Sequence, residues 1–366
     1  MKKVIMLLSN PFKPDPRVYK EARSLVNHGY DVTVLAWDRE GKYPKKEVID
    51  GIKIERIKLK APYGKITLFV YLFLWWIYEF LFLIKKKYDI IHVCNFDTLL
   101  PALITSKLKR KKIIFDIFDF YGKMLPYSLS VFSYIITKLE RFFIRYVNAV
   151  IIPDEDRKRE INYLNRKIVV IMNTPLDIEK KKLEKKNIKF QIFYAGLIAR
   201  ERGLENMIKA IEDSDDIELI IAGFGRDEEI LIPLFKRSKN VEYIGRLPYE
   251  KVLEMTMKSD LLFALYDTEI ENNKYASPNK LFEAMMCGKP IIVNKDTTMS
   301  KIVKKWNCGL VVPYNNIEKI KESILKIKND PNLKTELGKN GRRAYEEEYN
   351  WKIMEKRLLD LYEGLK

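Results

Sequence analysis

A chain of 366 residues is too long for one hydrophobic core and suits two domains. Its apolar share of 47% excludes disorder, and with only two histidines, His28 and His92, a histidine-built zinc centre is not expected. The net charge of +17 attracts anions, whether nucleic acid, an anionic bilayer or phosphorylated small molecules, and does not choose among them.

The chain opens MKKVIMLLSNPF. The apolar run is short and stops at Ser9-Asn10-Pro11, so it reads as a buried strand rather than a secretory signal. Further β-branched runs follow at 31–37, 52–59, 89–93, 112–118, 149–153 and 168–172. A helical pattern at 18–27 puts Val18, Ala22, Leu25 and Val26 along one face. The three cysteines, Cys94, Cys287 and Cys308, form no C-x-x-C pair, which points to reduced thiols and a cytoplasmic setting.

Residues 66–84, ITLFVYLFLWWIYEFLFLI, have the length of a membrane span, with Glu79 as their one charge and Lys85-Lys86-Lys87 behind them. A span would place strands of one sheet on opposite sides of a bilayer, and a mid-helix acid costs about 2.5–3.5 kcal/mol on insertion. Two readings remain: a helix buried against the first sheet, or one whose outer face dips into a membrane surface with lysines on anionic headgroups.

A lysine-rich stretch at 174–189 reads as the hinge between domains. Beyond it the rhythm repeats, with strands at 190–196, 217–223, 241–245, 260–266, 290–294 and 308–312 and helices at 203–212 and 317–328. Alternating strands and helices imply parallel sheets covered on both faces, here two Rossmann-like domains. The final stretch forms an amphipathic helix with Trp351, Met354, Leu358, Leu359 and Leu361 as its buried stripe.

SPNKLFEAMMCGKPIIV (277–293) carries the chemistry. Ser277, Pro278, Asn279 and Lys280 precede a helical run, with the proline suited to the first turn. Unpaired N–H groups at such an end, with the Lys280 ammonium, suit a diphosphate. Glu283, one turn on, accepts two hydrogen bonds from a vicinal diol such as a ribose. The plainer alternative is a capped helix with a surface ion pair. Gly223-Phe224-Gly225 is not a dinucleotide fingerprint, because Glu228 stands where a third glycine is required.

The run YASPNKLFEAMMCGKPIIV resembles the donor-binding segment of glycosyltransferase family four, whose motif is Glu-x7-Glu followed by A-M-x-x-G-x-P. Glu283 matches the second glutamate, and Gly288 and Pro290 the tail; Tyr275 stands where the first glutamate belongs. FYAGLIARERGLENMIKAI resembles Y-x-G-R-L-x-x-x-K-G-L. Gly196 and Gly203 match, Arg202 replaces the phosphate-contacting lysine, and Leu197 replaces an arginine for which Arg200 would compensate. The runs holding Gly223 and Arg246 resemble loops bordering the base.

SNPFKPDPRVYKEARSLVNHGYDVTVLAW resembles the family's acceptor-side start, with Arg17 expected on an anionic acceptor or the diphosphate. DIIHVCNFDTLLPALI resembles D-V-x-H-x-H-D-x-D-T-L-P; His92 matches, Asp97 falls in the run, and Cys94 and Asn95 depart. Asp116 and Asp119 take acidic positions in a third segment, where Phe118 replaces a histidine.

The resemblance implies the GT-B fold: α/β, two Rossmann-like domains facing a central cleft and a C-terminal helix crossing back to the first. The expected divisions are 1–175 for the acceptor side, 176–349 for the nucleotide-sugar donor and 350–366 for the crossover helix. It implies a retaining transfer of sugar from a nucleotide diphosphate to a hydroxyl, with no metal and no cofactor beyond the donor. Arg202, Lys280 and Glu283 are the expected catalytic residues. The acceptor is expected to be lipid-linked or an envelope polysaccharide precursor, reached from the cytoplasmic membrane face. Tyr275 and Cys94 leave room for a noncatalytic membrane-bound scaffold, and a nucleotide-sugar epimerase is a second rival. Nucleic acid is disfavoured, because the charge is spread and no recognition module is present.

Overall fold

The computed structural model describes residues 1–13, 15–61, 68–124, 130–161, 167–178 and 189–365. Most of the expected hinge and the first two residues of the 66–84 stretch lie outside them. The chain divides into two compact units, Met1–Met172 with Met354–Lys366, and Asn173–Ile353.

Unit 1 runs β1 (Lys3–Leu8), α1 (Pro16–Asn27), β2 (Asp31–Trp37), β3 (Lys46–Ile49), β4 (Ile52–Ile57), α2 (Leu68–Lys85), β5 (Ile90–Cys94), α3 (Leu99–Leu108), β6 (Lys112–Asp116), α4 (Ser130–Ile144), β7 (Ala149–Ile152) and β8 (Lys167–Val170). Its sheet has the order β3-β4-β2-β1-β5-β6-β7-β8 and is parallel except for β3. The central strands β1, β5, β6 and β7 are near-continuous buried runs because helices cover both faces, whereas β4, next to the edge, alternates. Helix α1 starts where Asp15 accepts the Val18 N–H at 3.0 Å and Pro16 takes the first turn.

The β3–β4 hairpin was not expected. Its turn is Asp50-Gly51, both at positive φ, the conformation a tight hairpin needs to match strand twist. Helix α2 is neither wholly buried nor wholly free. Trp75, Glu79 and Leu83, four apart, form the buried stripe, and Trp75 stacks on Trp37 at 5.4 Å, while Phe73, Tyr78 and Leu81 are exposed. Among the described residues no helix is long and apolar enough to cross a membrane.

Unit 2 runs β9 (Phe190–Leu197), α5 (Leu204–Ile211), β10 (Ile217–Phe224), α6 (Glu228–Arg237), β11 (Val241–Tyr243), α7 (Tyr249–Lys258), β12 (Leu261–Ala264), α8 (Glu271–Lys274), α9 (Asn279–Cys287), β13 (Ile291–Asn294), α10 (Thr298–Trp306), β14 (Gly309–Val312), α11 (Ile317–Asn329) and α12 (Pro331–Glu347). The sheet order is β11-β10-β9-β12-β13-β14, all parallel. Alternate strand residues feed opposite layers: Ile192, Tyr194 and Ile221 join the larger core, and Phe193, Ile220 and Ala222 the smaller. Chain order reverses between β9 and β12, which opens a crevice beyond their carboxyl ends.

The last helix, α13 (Trp351–Glu363), groups with unit 1 from Met354 onward. Its buried stripe is Trp351, Met354, Leu358, Leu361 and Tyr362. Leu359, expected there, is only half-buried. Tyr362 takes the inward place, with its hydroxyl 2.8 Å from His92 Nδ1.

Candidate active site

In unit 2 the site residues gather at that β9–β12 switch point. Strand β9 ends on Gly196, and the chain turns through Arg200–Arg202 to Gly203, whose φ of +66° and contact with Leu265 leave no room for a side chain. From β12 it runs through α8 to Pro278 and into α9. Pro278 stands just outside the helix as its N-cap, at ψ 147°, rather than within the first turn as expected; Asn279 is the first helical residue. No side chain caps this end, so it keeps its partial positive charge for a ligand.

Lys280 occupies the crevice floor. It is 6% exposed, and among the described residues its Nζ has no hydrogen-bond partner. The ammonium lies 3.3 Å from the centre of the Tyr194 ring. A Cβ added to Gly196 would come within 3.2 Å of it, so glycine there keeps the approach to the cation open. Burial pushes the Lys280 pKa well below the ordinary lysine range; Arg202 pushes the same way and Glu283 opposes.

Arg202 lies over Tyr266, 4.1 Å from the ring centre, and donates from Nη1 to Asn273 Oδ1 at 3.4 Å. Its Nε, like the Ser277 Oγ, is buried without a hydrogen-bond partner among the described residues. A lysine, an arginine and a hydroxyl thus hold unmet hydrogen-bonding capacity around one crevice. Buried polar groups are normally satisfied, so this arrangement fits an anionic ligand with many acceptor oxygens. Glu283, 5% exposed, is hydrogen-bonded by the Tyr249 hydroxyl.

The remaining residues are dispersed. Arg200 is exposed and lies 3.6 Å from Glu205, so it does not join Arg202. Arg246 stacks on Phe224 at 4.4 Å, at the end of β10. Gly223 pairs with Gly196 across the strands so closely that a Cβ would meet the Gly196 carbonyl oxygen at 1.8 Å. Tyr275 ends α8. Sequence reasoning missed Tyr194, Tyr266, Asn273 and Tyr249. An aromatic on a strand or loop reads as core, and only the placement of Lys280 and Arg202 gives these rings a second use.

In unit 1 the acceptor-side residues do not form one site. Arg17, expected on an anionic ligand, is consumed internally. It is 4% exposed, donates to both Asp116 oxygens at 3.0 and 2.7 Å and to the Ile171 carbonyl at 2.8 Å, and lies 3.3 Å from Glu21. His92 belongs to the same buried network, 3.5 Å from Glu21 and 3.6 Å from Asp116. Asp97 lies elsewhere, buried beneath the Trp76 indole that donates to its carbonyl at 2.7 Å. Asp119, partly exposed, accepts from Arg157 at 2.5 Å.

His92, Cys94 and Asp116 hold ligand atoms within 4.8 Å of one another. They do not fit a metal: Arg17 already supplies the cation to Asp116, and burial raises the Cys94 thiol well above its ordinary range, which keeps it protonated.

Comparison with known proteins agrees with this architecture. The family model for glycosyltransferase family 4 matches residues 17–174, and that for group 1 glycosyl transferases matches 177–344. The chain belongs to glycosyltransferase family four. It is 27% identical over 312 residues to an uncharacterised glycosyltransferase of Methanocaldococcus jannaschii, covering 77% of each chain. It is also 27% identical over 202 residues, 52% of this chain and 53% of the other, to a GDP-mannose-dependent monoacylated α-(1-6)-phosphatidylinositol monomannoside mannosyltransferase of Corynebacterium glutamicum. The fold matches sucrose-phosphate synthase from Thermosynechococcus elongatus with a TM-score of 0.81 at 18% identity, covering 100% and 99% of the two chains. The fold class is GT-B, and the protein is a glycosyltransferase.

Proposed function

We propose that the protein transfers a sugar from a nucleotide diphosphate donor to a hydroxyl acceptor that is lipid-linked or an envelope polysaccharide precursor. The observation that carries this reading is the buried Lys280 ammonium without a hydrogen-bond partner among the described residues, set at an uncapped helix end beside Arg202 and Ser277. A diphosphate supplies the oxygens that these groups lack. As the sugar leaves, charge grows on the diphosphate, and donors already in place stabilise it without reorganising. Glu283 holds the ribose. Gly196 and Gly223 admit the ligand backbone-close, and Arg246 with Phe224 borders the base.

In this reading the donor belongs to residues 176–349, the acceptor to 1–175, and 350–366 is the crossover helix. Asp97 and Asp119 remain acceptor-side residues, while Arg17 and His92 act by holding their loops. Transfer retains configuration and needs no metal, since cationic side chains and a helix end take that role. The work is done at the cytoplasmic membrane face, where the protein is peripheral. The Corynebacterium relative, whose named acceptor is a phosphatidylinositol mannoside and whose named donor is GDP-mannose, supports both the donor class and the lipid acceptor.

The test is nucleoside diphosphate release from a panel of nucleotide sugars, with and without hydroxyl acceptors and with a chelator. Transfer predicts release that depends on acceptor, survives chelation and yields a product with the donor's anomeric configuration. Sugar interconversion without acceptor would show an epimerase, and no turnover with any donor would show a scaffold.

A further inference from the structure

We infer that α2, α3 and α4 together form a membrane-docking face that lies in the plane of an anionic bilayer. This deepens the peripheral reading above and rests on it, but it assigns the contact to three helices, not to the aromatic stretch alone.

The topology places them side by side. The connections β4 to β5, β5 to β6 and β6 to β7 all advance the same way across the sheet. Right-handed crossovers therefore put all three helices on one face, opposite α1, whose connection runs the other way. Helix α2 packs on α3. Lys107 at the end of α3 sits 4.3 Å from the ring centre of Tyr146, just past α4.

The outward surface is apolar beyond what a soluble face needs. Val70 and Phe73 on α2, Leu108 on α3 and Val131, Phe132 and Tyr134 on α4 are each between 57% and 67% exposed. Contiguous patches of this kind mark a contact with something apolar.

Charge selects the partner. Lys85 ends α2 and Lys86 and Lys87 follow it, five lysines and arginines lie in 107–112, Lys138 and Arg141 lie on α4, and Arg145 lies just past it. These segments hold two acids, Glu79 and Glu140, and both are turned inward at 0% exposure. Lys86 pairs with Glu55 and Lys111 with Asp89, which leaves the outer surface cationic. The cations sit on aromatic rings: Lys138 lies 4.5 Å from Tyr134 and Arg145 4.6 Å from Phe142. Apolar and aromatic side chains rimmed by cations, with no exposed acid on α2 or α4 themselves, fit acyl chains beneath anionic headgroups. A protein partner or a second copy of this chain would have to answer that charge with acids that this face does not itself offer.

Flotation of the full chain with phosphatidylcholine vesicles, with and without phosphatidylglycerol, tests this. Binding is expected to the anionic vesicles, weakening as salt rises, and not to neutral ones. Replacing Phe132 and Tyr134 together by serine is expected to weaken binding about tenfold or more, and Lys138→Glu with Arg145→Glu about tenfold. Binding that Phe73→Ser removes and the α4 changes leave intact would overturn the three-helix face. So would absent vesicle binding with a dimer that the α4 changes dissolve. Nucleotide-induced thermal stabilisation is read on every variant. If it persists while wild-type chain fails to float, the docking inference falls and the glycosyltransferase reading stands. The salt dependence of the wild type decides the matter even if a variant fails to fold.

Discussion

Lys280 is a cation held out of water without a hydrogen-bond partner among the described residues, and this dictates how it behaves on binding. Its pKa lies well below the ordinary 10.5 in the folded chain. A diphosphate beside it favours the charged form and restores the pKa, so binding takes up a proton between those two values. Affinity is therefore expected to fall as pH rises through the depressed value. Titration calorimetry in buffers of different ionisation enthalpy checks this; heats independent of buffer would contradict it. Glu283→Gln keeps the anion site and weakens the grip on the diol. It is expected to cost about 1.5–3 kcal/mol for nucleoside diphosphates, a charged hydrogen bond's worth, and little for inorganic pyrophosphate. Gly223→Ala drives a methyl into the Gly196 carbonyl and should destabilise by about 1–3 kcal/mol, read by denaturant unfolding. At this scale residue type and spacing pointed to Lys280 and Glu283, and the family resemblance to Arg202; the structure buries Lys280 and Glu283 in the first turns of α9. The sequence was not legible for Arg17, because a loop arginine reads the same whether it awaits a ligand or already grips Asp116 from a distant strand.

Helices α2 and α4 each turn one acid inward, and both acids carry a pH signature. Burial raises the Glu140 pKa from 4.5 to about 7, against the Tyr121 and Gly122 N–H groups that it accepts at 2.7 and 3.1 Å. Burial also raises Glu79 well above 4.5, and Asp97 adds to this. The folded chain then keeps protons that the unfolded chain releases. The stability that these two acids contribute is full below about 4.5 and is lost as pH rises through their folded-state values. Melting temperature measured across that range is expected to decline, and Glu79→Gln to make the decline shallower; an unchanged slope would contradict the assignment. The 66–84 stretch could not be resolved from sequence because it is apolar on every side. Which stripe packs is decided by Trp37, a residue of another element. The β3 strand was legible and missed: Asp50-Gly51 between alternating residues is a hairpin signal, but VID–GIK is too short to stand out beside the long apolar runs.

For the whole molecule, the repeat of strand and helix in both halves was enough to give two parallel α/β units, because parallel sheets impose buried apolar runs that periodicity exposes, while GT-B came from the family resemblance. What each half binds was less legible, since a site depends on which loops meet at a switch point and not on their order in the chain. At this scale everything turns on unit 2 gripping a diphosphate through Lys280. A thermal-shift comparison of nucleoside diphosphates with the matching nucleosides, on the full chain and on Lys280→Ala, tests it most directly. The prediction is a rise in melting temperature with diphosphates and little with nucleosides. Lys280→Ala should fold at least as stably without ligand, because it removes a buried charge that no hydrogen bond among the described residues compensates, and should lose the shift. Diphosphates that stabilise Lys280→Ala as strongly as the parent chain would contradict the claim.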